Sequence, residues 1–229
     1  MISVVIPTLN AAKGLPGTLT ALVPAAADGL VKEVIVVDGG SQDETTAIAD
    51  GAGAKVLSAP RGRGGQLAAG AAAARAPWLL FVHADTVLAE GWEAAAQAHL
   101  EQPDAEGAPR AAVFQFRLDD PNWRARIVEF GAWVRCALLG LPYGDQGLLI
   151  SRAHYDEIGG FRPLPLMEDV DLVRRIGRRR LTLLRAPART SAARYRRDGY
   201  ASRILRNLLC ISLFSLGVSP ARIARLYER

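Results

Sequence analysis

Four short polar clusters carry most of the chemistry available to this chain. Thr8 and Asn10 follow the apolar run Ile2-Ser3-Val4-Val5-Ile6-Pro7, and Asp38 closes Val34-Ile35-Val36-Val37 ahead of Gly39-Gly40-Ser41. Arg61 and Arg63 sit in Arg61-Gly62-Arg63-Gly64-Gly65, and His83-Ala84-Asp85-Thr86 ends the run Trp78-Leu79-Leu80-Phe81-Val82. A carboxylate at the end of a buried element is costly unless it is paired or holds a metal. Together the clusters offer a carboxylate and amides to read a base, guanidinium groups for phosphate oxygens, and a carboxylate for a divalent cation. Mg²⁺ commonly uses one or two protein carboxylates, with phosphate oxygens and water completing its shell, so Asp85 alone is enough in principle. The bland account of Asp85 is that it caps a helix expected to start near Ala89.

For these clusters to meet, the runs that precede them must lie side by side and point the same way. Ile2–Ile6 reads as a strand, Lys55–Leu57 as a short one, Val34–Val37 as a buried one, and the run after Pro77 as a strand buried on both faces. A helix from Pro16, bent or ended by Pro24, a helix Asp43 to Asp50 and an Ala-rich helix Gln66 to Arg75 separate them. This alternation predicts an α/β fold with a parallel sheet covered on both faces, whose carboxyl edge binds ligands. Beyond the HAD segment, Ala89 to Gln102 reads as a helix, Glu101 to Arg110 as a surface loop, and Ala112 to Leu118 as a strand. Pro121 to Leu139 reads as an amphipathic helix whose stripe of Trp123, Ile127, Phe130 and Val134 is expected to be core. Leu141 to Gly147 is a punctuated loop before Leu148-Leu149-Ile150. Ser151 is expected to cap a short helix ending at Gly159-Gly160, and Glu168-Asp169 to open another after the loop Phe161 to Met167.

Composition narrows the function classes. At 229 residues, half of them apolar, the chain suits one domain, or one with a carboxyl-terminal extension. Residues 1–149 hold 11 Lys and Arg against 16 Asp and Glu, whereas residues 150–229 hold 17 against 7. The last third therefore faces something anionic: a phosphorylated ligand, a membrane surface or, last in order, nucleic acid, for which no motif is present. Cys136 and Cys210 lack metal-ligand spacing and are expected to be buried free thiols in a reducing cytoplasm. The amino terminus lacks the basic, apolar and small-residue order of a signal peptide. No GxGxxG follows the first strand and no GxxxxGK[ST] occurs, which disfavours dinucleotide-dependent dehydrogenases and P-loop enzymes.

The ordered set IPTLN, VVDGGSQDET, RGRGGQ, LLFVHADT and PLMEDVDL resembles a family 2 glycosyltransferase of the GT-A fold. With HAD, YGDQG and PLMED, the chain is similar to a compact bacterial subfamily sometimes linked with arsenosugar biosynthesis. The resemblance implies a mixed, mostly parallel sheet flanked by helices, with a helical carboxyl-terminal extension. It implies a transferase domain over 1–195, its nucleotide-binding half about 1–88 and its acceptor half about 89–195, with the basic extension at 196–229. It implies transfer of a sugar from a nucleotide-sugar donor, a UDP-sugar before a GDP-sugar, to a hydroxyl acceptor, with inversion and with Mg²⁺ or Mn²⁺.

Carried over by position, Pro7, Thr8, Asn10, Asp38 and Gly40 would bind the nucleoside, with Asp38 accepting from the base imide. Arg61 and Arg63 would lie near the diphosphate. His83 and Ala84 stand in the family's Asp-x-Asp triplet, whose second aspartate, the metal ligand, is Asp85; His83 replaces the first, and imidazole suits Mn²⁺ better than Mg²⁺. Asp169 matches the general base of inverting relatives, which takes the proton of the attacking hydroxyl. Glu168 would position its loop, and Asp171 would be structural; helix capping is the competing account for all three. Asp145 and Gln146 are expected to contact donor sugar or acceptor, against the alternative of a plain turn. Arg194 falls where processive relatives carry a longer motif and would contact the diphosphate. His99 and His154 are expected to be ordinary surface or packing residues.

Ile204 to Val218 is apolar but only 15 residues long, too short to span a bilayer. It would pack on the domain or on a second copy in a homodimer. The sharper alternative is an interfacial helix, flanked by Arg203, Arg222 and Arg225, lying on anionic lipid at the inner face of the membrane. Two rival functions stay open. A nucleotidyltransferase would need a Gly-rich loop where this chain has PTLN. A non-catalytic nucleotide-binding, membrane-associated protein would account for the basic third but would need no base.

Overall fold

The computed structural model describes residues 1–101 and 111–227. Its eight strands are β1 (Ile2–Thr8), β2 (Val31–Asp38), β3 (Lys55–Ser58), β4 (Trp78–Phe81), β5 (Thr86–Leu88), β6 (Ala111–Leu118), β7 (Leu148–Ser151) and β8 (Leu181–Thr190). They form one sheet in the order β3-β2-β1-β4-β7-β6-β8-β5. The first four are parallel; β7 runs against both β4 and β6, β8 runs with β6, and β5 runs against β8 at the edge. Two reversals around β7 leave β6 pointing the same way as β4. The carboxyl ends of β1, β2, β4 and β6 therefore share one edge.

Alternation along the strands divides the core between the two faces of the sheet. Val4, Ile6, Leu80 and Val82 look one way, onto α1 (Leu15–Thr20), α2 (Val23–Ala27) and α5 (Trp92–Glu101). Val5, Val37, Leu79 and Phe81 look the other way, onto α4 (Arg63–Ala73) and α8 (Glu168–Ile176). Helix α4 comes so close to the strands that a Cβ on Gly70 would lie 2.3 Å from Val5 Cγ1. The small residues of this Ala-rich helix are what let it sit there. Helices α3 (Thr45–Gly51) and α7 (Arg152–Glu157) cover the remaining connections, and Ser151 caps α7 as expected by accepting from the His154 amide.

Several expectations are corrected. Helix α5 starts at Trp92, not Ala89, and strand β5 intervenes, so Asp85 caps no helix. Strand β8 stands where no element is legible in the sequence. The stripe on α6 (Trp123–Val134), expected to be core, faces outward: Trp123 is 66% exposed, Ile127 54% and Phe130 65%. Its inward face is instead made of Ala125, Glu129 and Ala132. A π-helical turn, Arg135–Leu139, continues α6, and a 3-10 turn, Gly144–Gln146, interrupts the loop expected at 141–147. Most of the surface loop expected at 101–110 lies outside the described residues. The chain ends in α9 (Ala193–Asp198), α10 (Tyr200–Ser215) and α11 (Pro220–Tyr227). Cys136 and Cys210 are buried and unpaired, as expected.

Candidate active site

The shared carboxyl edge brings the sequence clusters together. Thr8 and Asp38 are register partners at the ends of β1 and β2. Asp38 Oδ1 accepts from the hydroxyls of Thr8 (3.0 Å) and Ser41 (2.5 Å), and Oδ2 from the amides of Gly40 (2.9 Å) and Ser41 (2.8 Å). Burial pushes this carboxyl up, but those donors outweigh burial and hold it below the ordinary aspartate value. Each oxygen already accepts twice, so a base imide would reach Asp38 only if a hydroxyl such as that of Ser41 gives way. Asn10 Oδ1 accepts from the Gln42 backbone N–H (2.8 Å), and the Asn10 backbone N–H donates to Ser41 Oγ (2.8 Å). Pro7 is buried in β1, and Gly40 takes a left-handed turn at φ 96°.

One residue that sequence reasoning did not single out organises this end. Gln66 on α4 is buried and donates through Nε2 to the carbonyls of both Thr8 and Val37, each at 2.8 Å. It thereby pins the two strand ends to the helix opened by the Arg61–Gly65 segment. A lone glutamine in an otherwise small and apolar helical stripe was the available signal.

Arg61 is exposed, whereas Arg63 turns inward. Its Nε pairs with Oε1 of Glu168, which is buried, and its Nη1 lies 3.4 Å from His83 Nε2. Burial, then the positive charges of Arg63 and Arg194, lower the His83 pKa well below its usual value, so the imidazole is neutral. Arg194, on exposed α9, is thus near enough to act on His83 electrostatically. The Asp85 side chain is exposed.

Asp169, at the start of α8, is held by backbone: Oδ2 accepts from the Gly144 amide at 2.7 Å and Oδ1 from Val170 at 2.8 Å. That contact fastens the 3-10 turn to α8. A Cβ on Gly144 would lie 2.8 Å from His83 Nε2 and 3.3 Å from Asp169 Oδ2, so only glycine fits between them. Beside it, Asp145 has a buried Oδ1 with no hydrogen-bond partner among the described residues. Burial pushes Asp145 up to about 6; Arg135 opposes this, while Asp169 and Asp85 add to it. Three carboxylates from separate elements therefore feel one another here.

Other expected residues are used differently. The Gln146 side chain is buried and points into its own loop: Nε2 donates to the Phe114 carbonyl (2.9 Å), and Oε1 accepts from the Tyr143 amide (3.3 Å) and lies 3.2 Å from Cys136 Sγ. It braces the turn rather than presenting a group to a ligand. Arg135 lies over the Tyr143 ring at 3.3 Å and tightens the same loop. Asp171 pairs with Arg175 (2.6 Å) and Arg162 (3.1 Å). His99 and His154 are both buried, consistent with packing.

The model of glycosyl transferase family 2 matches residues 3–162. Among curated protein sequences none matches the chain. A structure of glucosyl-3-phosphoglycerate synthase from Mycobacterium tuberculosis, in complex with Mn²⁺, UDP and phosphoglyceric acid, superposes with a TM-score of 0.61 at 22% identity, over 83% of this chain and 69% of that one. A second structure of that synthase, with Mg²⁺ and UDP, gives 0.60 at 23%, covering 83% and 70%. S. aureus TarS 1-349 gives 0.62 at 18%, covering 93% and 65%. These likenesses show the fold, a mixed, mostly parallel sheet with flanking helices.

Proposed function

The chain belongs to glycosyl transferase family 2, and we propose that it moves a sugar from a nucleotide-diphosphate donor, a UDP-sugar, to a hydroxyl acceptor with inversion. The observation that carries this reading is the grouping of Asp85, Asp145 and Asp169 on the sheet edge that also bears Thr8 and Asp38. A binding pocket alone has no use for two further carboxylates whose charges add to the cost of burying Asp145. A base, a cation site and a sugar contact together do.

In this reading Thr8, Asp38, Gly40 and the Asn10 turn shape the nucleoside pocket. Asp169 takes the acceptor proton: each oxygen holds one backbone amide, which fixes its direction and leaves a second lone pair for the incoming hydroxyl. A base so placed contributes about 10²–10⁴-fold. Asp145, in the adjoining turn, contacts the donor sugar or the acceptor. Neutral His83 sits between Arg63 and Gly144 and lines the path of the diphosphate; Arg61 and Arg194, both exposed, are free to reach its oxygens.

A divalent cation fits these residues. The Asp85 carboxylate is exposed and takes no hydrogen bond among the described residues, and its charge adds to that of Asp169 in acting on Asp145. Among the described residues no three metal-ligating side chains are placed to hold an ion by themselves, so a cation at Asp85 would be completed by phosphate oxygens and water. When bound it would neutralise charge on the departing diphosphate. The synthase structures with UDP and Mn²⁺ or Mg²⁺ share this fold and support the same donor chemistry.

Calorimetric titration of UDP and GDP with and without Mn²⁺ tests the reading. UDP binding that needs metal, disappears in Asp85→Ala and persists in Asp169→Asn is the expected outcome, with transfer lost in both. Absence of nucleotide binding under every condition would sink it.

A further inference from the structure

Helix α6 is inside out. Its inward positions, Ala125, Glu129 and Ala132, hold two small side chains and a carboxylate, while Trp123, Ile127, Phe130 and Trp133 are each more than half exposed. Phe130 and Trp133 stack on each other at 5.9 Å with more than half of each side chain exposed. The surface continues through Leu138 and Leu139 of the π-helical turn. Helix α10 packs beside α6 and adds exposed Leu205, Leu208 and Leu209 along one face. An apolar surface spread over two helices is far more than scattered exposed residues require.

Arginines border this surface; of the two acids just before α6, Asp119 is exposed and Asp120 lies 3.7 Å from Arg196. The one acid of α6, Glu129, is buried and already paired with Arg117 (2.6 Å) and Arg126 (3.0 Å). Arg124 lies beside the Trp123 ring at 5.5 Å. Residues 191–227 carry seven arginines and a single acid, Asp198, which is bound by Arg197 and Arg203. A second copy docked here by a two-fold axis would set these arginines against their equivalents, a like-charge contact. An anionic lipid surface takes both features at once: tryptophan and leucine enter the headgroup boundary, and arginine meets phosphate. Among the described residues no helix is long and apolar enough to cross a membrane, so contact would be lateral.

The position of the surface bears on the site. A cavity of about 430 Å³ lies between α6 and the carboxyl half of β6, lined by Phe130, Trp133, Arg117, Gln115 and Gln146. Gln146 belongs to the same turn as Asp145. The cavity thus runs from the exposed aromatics of α6 to the turn that holds Asp145. We propose that α6 and α10 dock this chain on anionic bilayers, with its carboxyl edge turned toward the lipid. The docking stands apart from the donor assignments and is measured apart from them.

The test is flotation of the full chain with vesicles of phosphatidylcholine alone or with added phosphatidylglycerol. The wild type should float with the anionic vesicles and be released by salt. The double variant Phe130→Glu/Trp133→Glu should bind about tenfold or more weakly, and so should Leu205→Glu/Leu208→Glu, with circular dichroism and UDP titration unchanged. Failure of the wild type to float, or undiminished flotation of both variants, overturns docking. So does a wild-type dimer in sedimentation velocity that the variants split while no vesicle is bound; that face would then be a contact between copies.

Discussion

Asp145→Asn should make the protein more stable while weakening its function, with a pH dependence fixed by the site. The carboxyl is pushed from 3.8 to about 6, by burial first, with the charges of Asp169 and Asp85 adding and Arg135 opposing. A folded-state value above the unfolded one means that the native protein binds the extra proton between those limits. Stability conferred by that proton is therefore lost as pH rises from about 4 to about 6, and the loss levels off above. A shift of that size corresponds to about 3 kcal/mol once both states are ionised. Asparagine has nearly the same shape and no charge to desolvate. In metal-free, nucleotide-free protein, urea unfolding at pH 7.5 should thus show the variant more stable by about 2–3 kcal/mol, shrinking to about 1 kcal/mol at pH 4.5. Millimolar Mn²⁺ should narrow the gap at pH 7.5, because a cation beside Asp85 offsets the repulsion that the variant removes. A gain of equal size at both pH values, or a loss of stability at pH 7.5, would refute the reasoning.

Three further outcomes follow from the same geometry. Glu168→Gln should cost about 1 kcal/mol, well below the range for a broken buried pair, because Arg63 is 34% exposed and burial already pushes the Glu168 carboxyl up; a loss of about 3 kcal/mol or more in urea unfolding would contradict that. Gly144→Ala should cut sugar transfer about tenfold or more and weaken UDP binding less, since the new methyl displaces the Asp169 contact and His83 on the diphosphate path but not the Asp38 pocket; loss of UDP binding with unchanged turnover would show the opposite division. The Cys136 thiol, pushed up by burial despite Arg135 and a contact to Gln146, should react with a disulfide reagent only after unfolding; rapid labelling of the native protein would place it outside the core.

The parts of the fold legible in the sequence were those whose physics is local. Strands β1, β2 and β4 are buried on both faces, so their β-branched and aromatic runs stand out, and the polar residues that end them mark the site edge. Strand β8 hides because its inward residues beyond Leu184 are small: Ala186 and Ala188 alternate with exposed Arg185 and Arg189, a two-residue period of weak hydrophobic contrast broken by Pro187. Strand β5, three residues long, is made by pairing with β8 rather than by its own composition. The same limit applies within the site. Asp38, Asp85 and Asp169 were legible as unusual carboxylates, but the roles of Gln66 and Gln146 depend on which distant carbonyls they meet, Thr8 and Val37 for one and Phe114 for the other.

Helix α6 shows why periodicity alone cannot tell core from contact surface. Its sequence holds two stripes of the same helical period, one large and apolar (Trp123, Ile127, Phe130, Val134), the other small (Ala125, Glu129, Ala132, Cys136). Hydrophobicity assigns the first to the interior. What decides against it is the room left by Phe116 and Leu118 of β6 and by Ala192, which Ala125 and Ala132 fill. The second determinant is Glu129, whose Oε1 accepts from the Leu118 amide at 2.9 Å while Oε2 pairs with Arg117. That carboxylate cannot turn outward without leaving the Leu118 amide unpaired, and large aromatics do not fit the room that Ala125 and Ala132 fill. Rotating the helix to hide its aromatics would strand Arg117 and an edge amide of β6, so the polar anchor sets the rotation and the aromatics are left outside for a partner surface.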